Sequence, residues 1–375
     1  MSTPSDEVVV TIGNLTHKGW TRYEIDSDLL TPADAWQVRL AQPTIQLPAA
    51  VTEGAKVQVL LGGETVLVGI LDERSLAVEK GRHELMLSGR DGAGVLLDCS
   101  GPVLAMRQVT LDQVLSKILG PLGIPSSRIR KEADSTMLRE KVNTEPGDTA
   151  WDSLRRAAEA NGLWPWFEPD GTLVVGGPHY DVDPVATLTM REDGKGNNVL
   201  SLTEQRSIVD RYSEVTVYGQ STAIGLGTGE RDGRNNIKGG AKDTGMTLYR
   251  PKIVVDHEAI NKDIADARGR KVISDARLKG YTLTALVRGH RTDSGKLWKP
   301  GQRVIVKSEP HGIDGVYFLI ARKFTGDKVQ GQRTVLTLKE DGVWVLDAHP
   351  SKRKHRRGKN SLPGQIVDLP VGASQ

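Results

Sequence analysis

Glu53-Gly54-Ala55-Lys56-Val57-Gln58-Val59 opens a segment that runs through Val66-Leu67-Val68-Gly69-Ile70-Leu71 and Gly81-Arg82-His83-Glu84-Leu85-Met86-Leu87 to Asp91-Gly92 and Leu97-Asp98. The same succession returns at Pro300-Gly301-Gln302-Arg303-Val304-Ile305-Val306. It continues through Val316-Tyr317-Phe318-Leu319-Ile320 and Gly331-Gln332-Arg333-Thr334-Val335-Leu336 to Asp341-Gly342 and Leu346-Asp347. The spacing is kept: Gly54 to Gly301 is 247 residues, Gly81 to Gly331 and Asp91 to Asp341 are 250, and Asp98 to Asp347 is 249. Each copy sets short apolar runs between glycine turns, the texture of a small barrel or sandwich. Two such modules in one chain give six quasi-equivalent units when three chains assemble, so the duplication points to a ring-building part rather than a catalyst.

Outward from the first copy, Val8-Val9-Val10-Thr11-Ile12 and Trp36-Gln37-Val38-Arg39-Leu40 read as further strands. After Asp98-Cys99-Ser100 the texture changes. Thr110 caps a helix whose Leu111, Val114, Leu115, Ile118 and Leu119 share a face, and Gly120-Pro121 ends it. A second helix starts at Thr149, with Asp152 standing in for the usual capping-box Glu, and runs through Trp151, Leu154 and Ala158 to Asn161-Gly162. Trp164-Pro165-Trp166-Phe167-Glu168 and Leu173-Val174-Val175 flank Pro169-Asp170-Gly171 as a hairpin. Strand texture resumes at Val199 to Leu202 and at Glu214 to Tyr218. Gly225 to Gly245, with seven glycines, reads as an exposed loop or arm. A third helix is expected from about His257 to Lys279, capped by Asp256, with Ile260, Ile264 and Ala267 buried and Gly269 weakening it. Tyr281 to Val287 is a strand.

The domain expectation is therefore a first β-barrel over 1–100, completed by about 199–220, and an α/β insertion over 101–198. A second β-barrel region follows over 199–347, holding the arm 225–245 and the helix 257–279, with a basic, flexible C-terminal tail over 348–375.

Composition bounds the function. The 375 residues suffice for two to four compact units, and no apolar run approaches a membrane span. Met1 to Glu7 has neither the basic nor the apolar stretch of a secretion signal, so synthesis in the cytoplasm is expected. A lone cysteine, Cys99, excludes an intramolecular disulfide and a Cys-based zinc cage and reads as a buried structural residue. Net charge is +3, but residues 351–375 carry +5, leaving −2 for the rest, so the folded body is no basic nucleic-acid binder. The excess lies in Lys352, Arg353, Lys354, Arg356, Arg357 and Lys359, a candidate contact for a partner or for DNA.

Catalytic patterns are missing. The eight histidines never show i, i+4 spacing, and Asp181 and Asp183 lack the glycine and distal Glu of a calcium loop. Gly289-His290-Arg291-Thr292-Asp293-Ser294-Gly295-Lys296 departs from a phosphate-binding loop in its glycine spacing and in Leu297 after the lysine, so a hairpin loop is expected. Gly225-Leu226-Gly227-Thr228-Gly229 does not complete a dinucleotide fingerprint. The seven tryptophans read as core or turn anchors. The chain is expected to be no enzyme and to hold no cofactor or metal.

Three segments carry a resemblance. They are Ser88-Gly89-Arg90-Asp91-Gly92 with Leu97-Asp98-Cys99-Ser100, then Gly147-Asp148-Thr149-Ala150-Trp151 with Asn161-Gly162 and Asp170-Gly171-Thr172-Leu173, and last Trp298-Lys299-Pro300-Gly301-Gln302. In this order and length the chain resembles the baseplate hub proteins of contractile-tailed phages. The likeness is to Mu-like tail proteins of the late-control-D group, relatives of the T-even-phage baseplate hub and of the N-terminal part of type VI secretion spike proteins. The resemblance implies a mainly β (α+β) chain with two tube-protein-like small barrels and an α/β insertion. It also implies a homotrimer whose pseudo-sixfold ring adapts the hexameric tail tube to the trimeric central spike, in tail assembly and genome ejection. Its place would be the virion baseplate, with tape-measure and wedge proteins as further partners, DNA only in transit through the lumen, and no stable membrane insertion. Two alternatives stay open. Pro146-Gly147-Asp148-Thr149-Ala150-Trp151-Asp152-Ser153-Leu154 also resembles the opening of a peptidoglycan-binding LysM module. The chain could equally be the hub part of a type VI secretion-like spike, although no β-helical spike follows before Gln375.

Overall fold

The computed structural model describes residues 6–43, 45–132, 139–144, 146–159, 162–219, 237–256, 259 and 261–344. The chain divides into two compact units, one formed by Met1–Gly177, Pro184–Thr203 and Leu283–Leu338, the other by Pro178–Asp183, Glu204–Thr282 and Lys339–Gln375.

The first unit begins with β1 (Val8–Ile12), β2 (Leu15–His17), β3 (Arg22–Asp28), β4 (Ala35–Gln42), β5 (Lys56–Leu61), β6 (Glu64–Ile70), β7 (Glu73–Glu79) and β8 (Arg82–Arg90). Alternation decides their faces: Val8, Val10 and Ile12 of β1, Trp36, Val38 and Leu40 of β4, and Val57, Val59 and Leu61 of β5 are all buried. α1 (Gly92–Asp98) follows, its cap Asp91 accepting from the Ala93 N–H at 2.9 Å. Then come β9 (Ala105–Val109), α2 (Leu111–Leu119), β10 (Ile129–Lys131), β11 (Arg139–Asn143), α3 (Ala150–Glu159), β12 (Trp164–Phe167) and β13 (Leu173–Gly176). Thr110 caps α2 as expected, with Gln113 completing the box, and all five anticipated apolar residues are buried in one core with Trp151, Leu154 and Leu173. The Thr149 hydroxyl accepts from the Asp152 N–H at 3.0 Å and starts α3. β12 and β13 form the expected antiparallel hairpin. Cys99 differs from expectation: it is half-buried, because it closes α1 and its carbonyl accepts from the Ala150 N–H at 2.9 Å, holding it at a helix end rather than in the core.

β14 (Thr187–Met190) and β15 (Val199–Arg206) lead to β16 (Glu214–Gly219), β17 (Ile237–Lys242), β18 (Pro251–Val255) and α4 (Lys262–Gly280). The chain then continues as β19 (Tyr281–Arg288), β20 (Arg303–Ser308), β21 (Ile313–Asp327) and β22 (Gly331–Glu340). In the second unit β17, β16 and β18 make a three-stranded sheet. Part of the expected glycine-rich arm is thus a strand: Ile237–Lys242 pairs with β16, while residues 225–236 lie outside the described residues. The reason lies in Gly269. A Cβ there would stand 2.8 Å from the Gly240 backbone, so α4 lies on β17 through bare glycines that a linear reading takes for loop. α4 is capped by Asn261, whose side chain accepts from the Ile264 N–H at 3.0 Å, five residues beyond the expected Asp256. His257 and Ile260 fall outside the described residues.

The duplication is visible in the backbone. Gly54 (φ +80°) donates to the Leu71 carbonyl at 2.8 Å, and the Leu71 N–H returns to Ala55 at 2.9 Å. Gly301 (φ +91°) donates to Leu319 at 2.8 Å, and the Leu319 N–H returns to Gln302 at 2.8 Å. Leu71 and Leu319 are both fully buried. The copies are not two separately closed sheets, however. β21 pairs antiparallel with β3, so strands of both copies join one ten-stranded sheet whose main path runs β15-β19-β22-β21-β3-β4-β8-β7. β5 belongs to a separate sheet ordered β2-β1-β5-β6, whereas its counterpart β20 pairs with β21 and β14.

Candidate functional site

The strand path resolves into two like halves. β15, β19, β22 and β21 stand in the same succession as β3, β4, β8 and β7, and β21 against β3 is the seam. At the seam Phe324 faces Ile25, both with no exposed surface. Lys323 pairs with Glu24 at 2.5 Å and Arg22 with Glu24 at 2.7 Å. The hydrogen bond from Lys323, first among several causes, holds Glu24 below the usual carboxylate range.

Beneath the seam lies a polar interior, in which Arg322 Nε alone of that side chain's buried nitrogens has no hydrogen-bond partner among the described residues. The Thr334 hydroxyl donates to the Gly289 carbonyl at 2.6 Å, which spends its only proton. It must therefore accept from His290 Nδ1–H at 3.0 Å, leaving Nε2 to accept from the Tyr23 hydroxyl at 2.7 Å. Burial, with the nearby Arg322 and Arg291 charges, lowers the His290 pKa to about 3, so the ring is a neutral strut. Arg322 donates to the Ile25 carbonyl at 2.9 Å, lies over the Phe324 ring at 4.1 Å, and has its pKa lowered to about 10 by burial. Beside that guanidinium stand Asp26 and Asp34, and Asp91 stands beside those two carboxylates; all three are raised above the ordinary Asp value chiefly by burial. One buried cation cannot balance the buried Asp91 and the half-buried Asp26 and Asp34, so the cluster retains protons near neutral pH. These groups lie under packed strands and lock the halves together.

The sheet's ends are different. All seven residues of β7 are exposed, with Leu76 at 40% and Val78 at 63%, and among the described residues β7 pairs only with β8. At the other end, β15 buries Val199 and Leu202 but leaves Leu200 at 39% exposure. Unpaired edges of this kind are ready templates for strand addition. In the second unit, α4 covers one face of the three-stranded sheet, and Tyr218, Ile253 and Val255 stand exposed on its strands.

The basic residues singled out from sequence, Lys352, Arg353, Lys354, Arg356, Arg357 and Lys359, lie outside the described residues. So does Gly225 to Gly229. Gly289 to Lys296 is a turn closed by the Arg291–Leu297 bridge, with Thr292 N–H on the Lys296 carbonyl at 2.8 Å, as a hairpin loop requires. Trp36, Trp151, Trp298 and Trp344 are buried anchors. Among the described residues no three His, Cys, Asp or Glu side chains are placed to hold a metal ion, and no helix is long and apolar enough to cross a membrane. Sequence reasoning missed β7 and the buried His290 and Arg322. The alternation Arg74-Ser75-Leu76-Ala77-Val78 was the available signal for the strand.

Family models match in four successive blocks. Residues 7–91 match the N-terminal domain of Mu phage baseplate assembly protein GpP-like proteins, and 93–177 the second domain of gp44-like baseplate hub proteins. Residues 211–273 match the third domain of NMB1110-like tail proteins, and 275–343 the tail protein C-terminal domain. The baseplate hub protein gp44 of Escherichia phage Mu is 24% identical over 351 residues, covering 92% of this chain and 90% of the relative. The crystal structure of the tail protein from Neisseria meningitidis MC58 is 38% identical, with a TM-score of 0.78 over 92% of this chain and 99% of that one. An E. coli component of the type VI secretion system, described as similar in structure to T4 tail proteins gp27 and gp5, shares the fold at 11% identity. Its TM-score is 0.57, over 88% of this chain and 76% of that one.

Proposed function

This chain belongs to the Mu-like baseplate hub family of phage tail proteins, and from that premise we propose that it works as a homotrimeric, pseudo-sixfold ring. The ring adapts a hexameric tail tube on one side to a trimeric central spike on the other, in a virion baseplate. Tape-measure protein and then DNA pass through its lumen during genome ejection. The observation that carries the reading is the internal repetition of four strands, since two like halves in each of three chains supply the six positions a tube ring needs. In this reading the segments 1–100, 101–198 and 199–347 serve as first β module, insertion and second β module. The basic run Lys352, Arg353, Lys354, Arg356, Arg357 and Lys359 is assigned to docking on an acidic tail partner or on DNA.

The function is mechanical and asks for no catalytic side chain. Large contacts, above roughly 2,000 Å² in total for an obligate assembly, would hold such a trimer. Mixing the purified chain with the central spike protein of the same phage and weighing the product by native mass spectrometry tests the reading. Three hubs on three spike chains is the expected result. A one-to-one complex, or none, would contradict it. The type VI secretion alternative rests on shared fold and would be favoured by binding to a type VI tube protein in place of a phage tube.

A further inference from the structure

We propose that the first β module holds a binding site for a small neutral ligand, with an aliphatic body of about eight carbons and one amide or similar uncharged carbonyl group. The site stands apart from the ring reading above. A cavity of about 290 Å³ lies between β1 of one sheet and β4 and β8 of the other. Val10, Ile12, Leu40, Leu85 and Leu87 wall it, and all five are buried. The segment 45–51 borders it as a strap tied down at both ends. The Ile45 N–H donates to His83 Nδ1 at 3.0 Å, and Arg74 Nη1 donates to the Val51 carbonyl at 3.0 Å. The cavity is thus built into the fold, at a place where β modules commonly take ligands.

The repeat accounts for the space. Val51 stands 247 residues before Trp298, the same offset that relates Gly54 to Gly301 and their matching hydrogen bonds. Trp298 is buried, so the second copy packs a large ring where the first has only a small branched side chain. The lining then sets the ligand's chemistry. Among the described residues no Asp, Glu, Lys or Arg borders the cavity, so a charged ligand would shed its water with no counterion to meet. One donor is in place: Trp20 lines the cavity, its ring edge-on to His17 at 4.6 Å, and its buried Nε1–H has no hydrogen-bond partner among the described residues. A carbonyl oxygen satisfies that donor while the aliphatic body covers the apolar walls. At roughly 30 Å³ per non-hydrogen atom, the volume that a water claims, the cavity holds about ten atoms, the size of octanamide.

Isothermal titration of octanamide into the full chain tests the site, beside octanoate as the charged isostere. Octanamide should bind with a Kd below about 1 mM, and octanoate at least about 10-fold more weakly. Trp20→Phe, with unchanged far-UV circular dichroism, should weaken octanamide about 10-fold. Val51→Trp, which installs the second copy's residue, should abolish binding. In protein labelled with 15N-tryptophan, the indole N–H signal that Trp20→Phe removes should be the one that octanamide shifts. Dioleoylphosphatidylcholine vesicles should not displace octanamide, because the cavity is too small for a membrane lipid's chain; displacement would assign the site to lipid and overturn the free-ligand reading. Equal affinity for octanamide and octanoate, or octanamide binding that Val51→Trp leaves unchanged, would overturn the site. If Val51→Trp fails to fold, the Trp20 signal decides alone, and its failure to shift at about 3 mM octanamide would overturn the proposal.

Discussion

Replacing Gly269 by alanine should destabilise the second unit, although the same change on an exposed helix face adds about 1 kcal/mol. The added Cβ would lie 2.8 Å from two backbone atoms of Gly240 and 2.9 Å from the Ala241 nitrogen. None of these can rotate away as a side chain would. α4 must lift from β17, which also strains the hydrogen bond from the Gly240 N–H to Asp266 at 2.9 Å. Overpacking of this kind costs about 1–3 kcal/mol, so against the helix gain the net is a loss of up to about 2 kcal/mol. Hydrogen exchange measures it locally: amides of α4 and β17 should exchange faster in the variant, by up to about 30-fold, with the first unit unchanged. Slower exchange in α4 would refute the close approach, because it would mean that the helix gain is realised with no clash to offset it.

Three further outcomes follow from the buried polar groups and the basic terminus. Asp34 and Asp91 have raised folded-state pKa values, so their stabilising contribution is complete at pH below about 4 and is lost as pH rises through neutrality. Urea midpoints of wild type should fall over that range, and Asp34→Asn should flatten the fall. Tyr23→Phe leaves His290 Nε2 buried without its donor and should cost about 1–3 kcal/mol by urea titration, while Thr21→Val, at a half-buried hydroxyl that donates to the Arg39 carbonyl, should cost less. Deleting residues 351–375 should lower the yield of assembled tails and weaken binding to an acidic partner in a salt-dependent way, and normal infectivity of the truncated phage would remove the assigned role.

Local structure was legible wherever one strong periodicity met one clear cap. Thr110 with Leu111, Val114, Leu115, Ile118 and Leu119 is such a case, and every one of those apolar residues is buried. Gly54 and Gly301 were legible as a repeated pair because a left-handed turn in each copy favours glycine. What escaped was set by distant partners. Phe324 meets Ile25 across 299 residues, and no local pattern announces that β21 and β3 weld two modules into one sheet. β7 was hidden for the opposite reason: with both faces open, its alternation lacks the apolar contrast that marks a half-buried strand. Gly239, Gly240 and Gly269 were taken as loop and weak helix, whereas close backbone approach is what those positions require. His290 sat in a turn that fell short of a phosphate-binding loop and completed no other motif, and its role came only from Tyr23 and Thr334 arriving from other strands.

The central claim is that this chain builds a threefold ring from a twice-repeated half. Light scattering of the purified wild-type protein across a concentration series, with end-on class averages by electron microscopy, tests it most directly. The account predicts a stable assembly of three 40.8 kDa chains with six similar lobes around a central hole. A compact monomer at all concentrations, or a closed twofold dimer, would contradict it.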